Sequence, residues 1–374
     1  MARRRAGKRQ VGYAVIGLEQ GLGRLAQPAV LPAFAHARNA RLVALVSADE
    51  ETRSRLSRKH GCEAYATSDL DACLARPDVD AVYIAAPDDR HADLAVRCAR
   101  AGVHVLCEKP LGLSEEECRR MIDACREAGV KLMTAYRLHF EPAHLAAVKL
   151  VGQGRIGEPR FFSSTCAHPV QPGNLRAGAG RGDALRDLGV SCIHAARTLF
   201  RADPVEVFAM RADRPGDPRF EEIHAGMSVL LRFPGDLLAQ FSVSLGAYPQ
   251  DRYRIVGTRG QIQLDQGYQD RGPRRLRLST GGKERVRTFR AADQFGPELV
   301  AFSRAVLSDT PIEPDGEEGL RDVRVIAAAL RSAREHRPLT LSWPAPHRHP
   351  EPADRIDRPR LREPRLVAVE APTQ

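Results

Sequence analysis

Val103-His104-Val105-Leu106-Cys107-Glu108-Lys109-Pro110 is an apolar run that stops abruptly at a carboxylate, an amine and a proline. A short continuous run of this kind reads as a strand buried on both faces, which is the habit of parallel sheets. Open α/β sheets hold ligands in the crevice beyond the carboxyl ends of their strands. Lys109 stands at such an end. Beside Glu108, and ahead of a proline that fixes the backbone, its amine can give a proton to a carbonyl oxygen or take one from a hydroxyl. A solvated strand end would read the same from the tripeptide alone, so the surroundings decide.

Outward from this run, short β-branched segments at 11–16, 41–46, 81–85, 103–107 and 131–134 alternate with helical patterns at 53–60, 71–75, 91–101 and 114–128. Ser114 and Glu117 have the spacing of a capping box. The alternation predicts a Rossmann dinucleotide-binding domain over 11–137, a parallel sheet with helices on both faces. After Glu141-Pro142 the pattern changes to a helix through Leu150, a strand at 161–164, a glycine-rich loop and a helix at 187–199. Longer alternating strands follow at 205–209, 227–233, 237–245, 252–257, 260–264, 276–279 and 285–289. With helices at 294–308 and 316–335 they predict an α+β domain over 138–343, built on a large, mostly antiparallel open-faced sheet. Residues 1–10 form a basic tail, and the Pro/Arg-rich segment 344–374 reads as disordered.

The chain has 374 residues, 43% of them hydrophobic, enough for two cores. Its formal charge of +10 is concentrated in the N-terminal tail and between Arg271 and Arg290. The second cluster flanks Thr280-Gly281-Gly282 and reads as an exposed basic hairpin. Without interleaved aromatics or a recognisable module, no nucleic acid is expected as a partner. No apolar stretch of about 18 residues suggests a membrane span, and the chain is expected in the cytoplasm. The eight cysteines show neither C-x-x-C pairs nor zinc-type spacing, so reduced core thiols and no metal are expected.

A dinucleotide fold needs glycines directly after its first strand, where the backbone must approach a pyrophosphate. The loop reads Gly17-Leu18-Glu19-Gln20-Gly21-Leu22-Gly23-Arg24-Leu25-Ala26. Gly21-x-Gly23-x-x-Ala26 fits G-x-G-x-x-A in a lengthened loop, with Leu25 inside it. In the other register Gly17 is in place but Glu19 takes the second glycine position. Ser47 ends the second strand where a carboxylate would hold the ribose hydroxyls of NAD. A neutral hydroxyl tolerates a 2′-phosphate, so NADP is preferred, with Arg53 as a phosphate partner, while Asp49 keeps NAD open.

The segments "AVYIAAP" from Ala81, "HVLCEKP" from His104, "KLMTAYRLHFEPAH" from Lys131, "GRIGEPRFFSS" from Gly154, "GNLR" from Gly173 and "DLGVSCIHAARTLF" from Asp187 occur in order along the chain. Over roughly Val11 to Trp343 the sequence resembles the Gfo/Idh/MocA oxidoreductase family, nearest its glucose-fructose oxidoreductase-like branch. The resemblance implies that cofactor and substrate meet between the two domains. It also implies that Lys109 is the catalytic lysine beside the nicotinamide, with Pro87, His91, Glu108 and Arg137 near the cofactor. Tyr136, Asn174 and Arg176 become substrate-cleft candidates. The family's helix-borne carboxylate and its partners map onto Asp187, Ser191 and His194.

Two departures stand out. Ser191 replaces a tyrosine of that branch and is too short to substitute directly, so His194, three residues on, is a candidate for proton transfer. Asp88 stands where relatives carry an asparagine. The reading that results is an NAD(P)-dependent oxidoreductase moving hydride between nicotinamide and a sugar, cyclitol or related polyhydroxylated molecule, with Lys109 as acid/base and Glu108, Asp187 and His194 around it. The alternative is a catalytically impaired dinucleotide or sugar sensor of the same fold. An open sheet with one apolar face implies a homodimer or homotetramer.

Overall fold

A computed structural model describes residues 10–18, 26–170, 183–221, 223–344 and 356. The expected glycines Gly21 and Gly23, Leu25, and the candidates Asn174 and Arg176 lie outside the described residues.

Six parallel strands form the first sheet: β1 (Val11–Ile16), β2 (Ala40–Val46), β3 (Glu63–Tyr65), β4 (Ala81–Ile84), β5 (His104–Glu108) and β6 (Leu132–Ala135). Their order is β3-β2-β1-β4-β5-β6, so the chain reverses its direction of progress between β1 and β4. That is where a doubly wound sheet opens a crevice for a dinucleotide. All six residues of β1 are buried, as a central parallel strand requires. The edge strand β3 was not anticipated. The helix Glu50–His60 starts where the Asp49 carboxylate accepts the Thr52 N–H (2.9 Å) and ends at Gly61 with φ +63°. At helix Glu115–Ala128, Ser114 caps the Glu117 N–H as expected, but the Glu117 carboxylate takes the Leu113 N–H (2.7 Å), one residue before the cap.

The second sheet has nine strands: β7 (Pro159–Ala167), β8 (Glu206–Ala212), β9 (Gly226–Phe233), β10 (Leu237–Ser244), β11 (Gln250–Gly257), β12 (Gly260–Asp265), β13 (Arg274–Thr280), β14 (Lys283–Phe289) and β15 (Leu339–Thr340). In the order β14-β13-β12-β11-β7-β10-β9-β8-β15, only β7 and β10 pair in parallel. The basic hairpin β13–β14 turns at Gly281 and Gly282, both at positive φ, as a two-residue turn of this hand demands. One face of the sheet buries Phe162, Leu231, Phe241 and Ile255 under the helices Pro142–Gly152 and Val190–Phe200. Its other face leaves Met210 64% and Leu230 44% exposed.

The two late helices do not simply complete the second unit. Helix Phe295–Ser308 lies on the first sheet, where Phe295, Leu299 and Phe302 join the core of Tyr13, Val15 and Leu106, and Ser303 Oγ meets the Tyr13 hydroxyl (2.8 Å). Helix Gly316–Glu335 serves both cores, Leu320 and Val323 entering one while Val325, Ile326 and Ala329 enter the other. This shared helix sets the two sheets around one cleft.

Candidate active site

Three strand ends of the first sheet converge beside the second sheet. Gly17 follows β1 with φ +93°, and a Cβ there would lie 2.4 Å from the Ala86 nitrogen after β4. Only glycine allows this approach, which packs the ends of β1 and β4 together at the switch point of the sheet. His91 braces the floor: its ring nitrogens lie 2.9 Å from the carbonyl oxygens of Pro110 and Ala86, tying the segment after β5 to that after β4. Expected near the cofactor, it is 1% exposed and acts beneath the surface. Pro87 precedes helix Asp88–Arg100, whose first turn carries Asp88 and Asp89, a placement the helix dipole favours.

At the end of β2, Ser47 is buried and the Asp49 carboxylate is committed to capping. The Arg53 guanidinium folds back over this end, donating to the carbonyl oxygens of Ser47 and Ala48 (both 2.8 Å) and pairing with Glu50. Ser47 puts no carboxylate at the strand end itself, and the Arg53 guanidinium there, shared with Glu50, suits a ribose that carries a 2′-phosphate.

Glu108 ends β5 with Oε1 accepting the Tyr83 hydroxyl (2.7 Å) and Oε2 accepting the Lys109 N–H (3.2 Å). It therefore anchors the strand end. The Lys109 amine donates to the main-chain oxygen of Asp187 (2.8 Å) and stands 3.5 Å from its carboxylate Oδ1. Lys109 and Asp187 are 19% and 18% exposed, enough to reach a ligand without being surrounded by bulk water. Both line a cavity of about 580 Å³ together with Arg137, Ser191, Asp251 and Tyr268. Arg137 crosses between the domains, donating to Gln269 O (2.7 Å), Gln294 Oε1 (2.8 Å) and Tyr268 O.

One expectation is corrected. His194 is not in the cleft: it is fully buried, its ring stacked on Tyr136 at 4.2 Å, and its Nδ1 faces Asp322 (3.3 Å) and Glu318 (3.4 Å). Ser191 and His194 belong to one regular helix, Val190–Phe200, where residues three apart are turned about 60° from each other around the axis, and that turn carries His194 past the cleft edge to face helix Gly316–Glu335. Asp187 and Ser191 stay on the cleft while His194 turns inward. Tyr136, expected to touch substrate, is 4% exposed: its ring stacks on that imidazole, and it also lines a small pocket with Glu108, Lys109 and Ser191. Burial alone would lower the His194 pKa, but the Asp322 and Glu318 carboxylates outweigh it and hold the ring up to about 9.

His194, Glu318 and Asp322 bring donor atoms within 4.8 Å of one another, yet Arg197 occupies the position of a cation there. Its NH1 lies 2.6 Å from Asp322 and 2.8 Å from Glu318, and its Nε lies 2.7 Å from Asp203.

Sequence reasoning missed Asp251. On β11 the inward positions are Asp251, Tyr253 and Ile255, alternating with exposed Arg252 and Arg254. A carboxylate in an otherwise apolar inward series was the available signal. Burial pushes its pKa up to about 6, against the Tyr268 N–H and the cations Arg137 and Arg274. No helix among the described residues is long and apolar enough to cross a membrane.

Comparison with known proteins agrees with this geometry. Residues 11–136 match the oxidoreductase family with an NAD-binding Rossmann fold, and residues 144–263 match the GFO/IDH/MocA C-terminal domain. The structure superimposes on an aldose-aldose oxidoreductase from Caulobacter crescentus complexed with glycerol, at TM-score 0.84 and 34% identity, over 89% of this chain and 100% of that one. A 3-ketoreductase from Actinomadura kijaniata, in complex with NADP and TDP-benzene, gives TM-score 0.78 at 28% identity over 86% of this chain and 98% of that one. An NADP-dependent D-xylose 1-dehydrogenase from Haloarcula marismortui is 31% identical, over 68% of this chain and 72% of its own length. With both of its domains matched in order, the chain belongs to the GFO/IDH/MocA family of nicotinamide-dependent oxidoreductases.

Proposed function

We propose that this protein is an NADP-preferring dehydrogenase or reductase of an aldose or related polyhydroxylated small molecule, with Lys109 as its acid/base. The observation that carries the reading is the Lys109 amine held 2.8 Å from Asp187 O, beside the Asp187 carboxylate, in the cleft between the two sheets. The crevice at Gly17 and Ala86 would hold the dinucleotide, and Arg53 would meet a 2′-phosphate. When bound, nicotinamide supplies hydride transfer to or from a carbinol carbon. Lys109 handles the proton of the reacting oxygen, and Asp187 fixes the direction of its amine and keeps the pair near neutral overall. Ser191, with a short side chain, leaves room at the cleft wall that a tyrosine would fill. Names of the relatives support an aldose: one is an aldose-aldose oxidoreductase and another a D-xylose 1-dehydrogenase.

The test is a titration of purified protein with NADPH and NADH followed by nicotinamide fluorescence, with NADP⁺ reduction measured across an aldose panel. Tighter NADPH binding with aldose-dependent reduction is expected. Absence of binding by either nucleotide contradicts the proposal. Self-association through the outer face of the second sheet, where Met210, Leu230 and Leu238 are exposed, belongs to the same reading. Light scattering should give a dimer or tetramer that Met210→Asp with Leu230→Asp dissociates.

A further inference from the structure

The cleft that holds Lys109 has a second charged wall. Asp251 pairs with Cys166 of β7 across the ladder, so both side chains stand on the face that turns toward the helices and the cleft. Cys166 lines the same cavity as Asp251, Asp187 and Lys109. Asp251 is held in position from behind: its Oδ1 accepts the Tyr268 N–H (2.6 Å), and its main-chain oxygen accepts from Gln266 (2.8 Å). Among the described residues no cation lies within salt-bridge distance of it. A carboxylate has about four acceptor sites, so one fixed by backbone N–H groups still faces the cavity with acceptor capacity to spare. Gln250 and Gln269 line the same wall and add neutral polar surface to it.

Lys109 and Asp187 suffice for the reacting hydroxyl of a polyol, but nothing about them distinguishes the remaining hydroxyls. We propose that Asp251 is the specificity-determining residue that accepts hydrogen bonds from substrate hydroxyls remote from the reacting carbon. The inference rests on the reading of the cleft as an aldose or polyol site. It explains why a carboxylate interrupts the apolar inward series of β11 at the one position that reaches the cavity. A site built to accept a hydrogen bond from hydroxyl rejects the analogue that lacks it, because the buried acceptor is left unpaired.

The experiment compares wild type, Asp251→Asn and Lys109→Ala, using D-glucose, D-xylose, D-galactose and L-arabinose with NADP⁺. The aldose turned over fastest is then set against its monodeoxy analogues. Asp251→Asn keeps the shape and the Oδ1 acceptor, so NADPH affinity should be unchanged and reports a folded protein. Its KM should rise roughly 10- to 100-fold with kcat nearly retained, as loss of a charged hydrogen-bond acceptor predicts. Preference for the aldose over one deoxy analogue should collapse, which a merely structural role would not bring about. Unchanged KM and discrimination, with Lys109→Ala inactive, overturn the inference and leave the proposed function standing.

Should wild type turn over none of the four, calorimetric binding of each to the NADPH-loaded protein decides. Weaker binding by Asp251→Asn supports the inference, whereas equal binding, or no binding by wild type, overturns it. Should Asp251→Asn lose NADPH affinity, Asp251→Glu takes its place, and an unchanged order of preference across the panel overturns the inference.

Discussion

Replacing Arg197 by methionine should cost more stability than any surface change in this protein. The guanidinium is fully buried and bonds three carboxylates: Asp322 at 2.6 Å, Glu318 at 2.8 and 2.9 Å, and Asp203 at 2.7 Å. Arg321 pairs with Asp203, and protonated His194 faces Glu318 and Asp322, so three cations balance three anions. Methionine fills much of the volume but removes one positive charge and leaves three buried carboxylates to share the two remaining cations. Stripping one partner from a buried ionic network costs about 3–5 kcal/mol. In a chain of this size that corresponds to a fall in Tm of about 4–6 °C. Urea denaturation measures it directly, with the midpoint moving and the slope retained. Arg331, 56% exposed and paired with Glu335, is the control: Arg331→Met should leave the midpoint in place. If Arg197→Met unfolds within about 1 kcal/mol of wild type, the buried carboxylates are not ionised as described and the argument fails.

Further outcomes follow from the same structure. His194 titrates near 9 when folded, against an ordinary 6.5, so its contribution to stability is complete below 6.5 and is lost as pH rises through 9. The urea midpoint of wild type should fall across that range, and His194→Phe should lose this part of the slope. Arg53→Ala should weaken NADPH binding about 10-fold and leave NADH binding unchanged, since only the former carries a phosphate for the guanidinium to meet. Equal loss for both nucleotides would mean that Arg53 only supports the turn after β2.

How much of this was legible depended on whether the cause was local. β1 was readable to the residue, because its short apolar run follows the polar, basic tail at Gln10 and stops at the glycine turn of Gly17. The strand end at Lys109 was equally plain, since a charge and a proline follow an apolar run. β3 was missed because Glu63-Ala64-Tyr65 has no β-branched residue and owes its pairing to β2. The placement of helix Phe295–Ser308 over the first sheet has no local signature, as its partners Tyr13 and Val15 lie almost 300 residues away.

At the site, helical periodicity misassigned His194 because a residue at the edge of a helix face can turn to either side, and here the buried carboxylates of another helix decide it. The carboxylates that explain His194 and Arg197 sit more than 120 residues later, on helix Gly316–Glu335. Tyr136 entered as a cleft candidate through the family resemblance, and its stacking on the buried His194 ring had no signal in the sequence. Asp251 was visible as a break in alternation but gained meaning only from the cavity around it.

The most direct test of the account is the single-turnover rate of NADP⁺ reduction by wild type and Lys109→Ala, at saturating aldose, in proteins shown to bind NADPH equally well. Loss of a positioned proton-transfer group predicts a fall of about 10²- to 10⁴-fold in Lys109→Ala. A Lys109→Ala enzyme that reduces NADP⁺ at the wild-type rate would contradict the assignment of this lysine, and with it the chemistry proposed for the cleft.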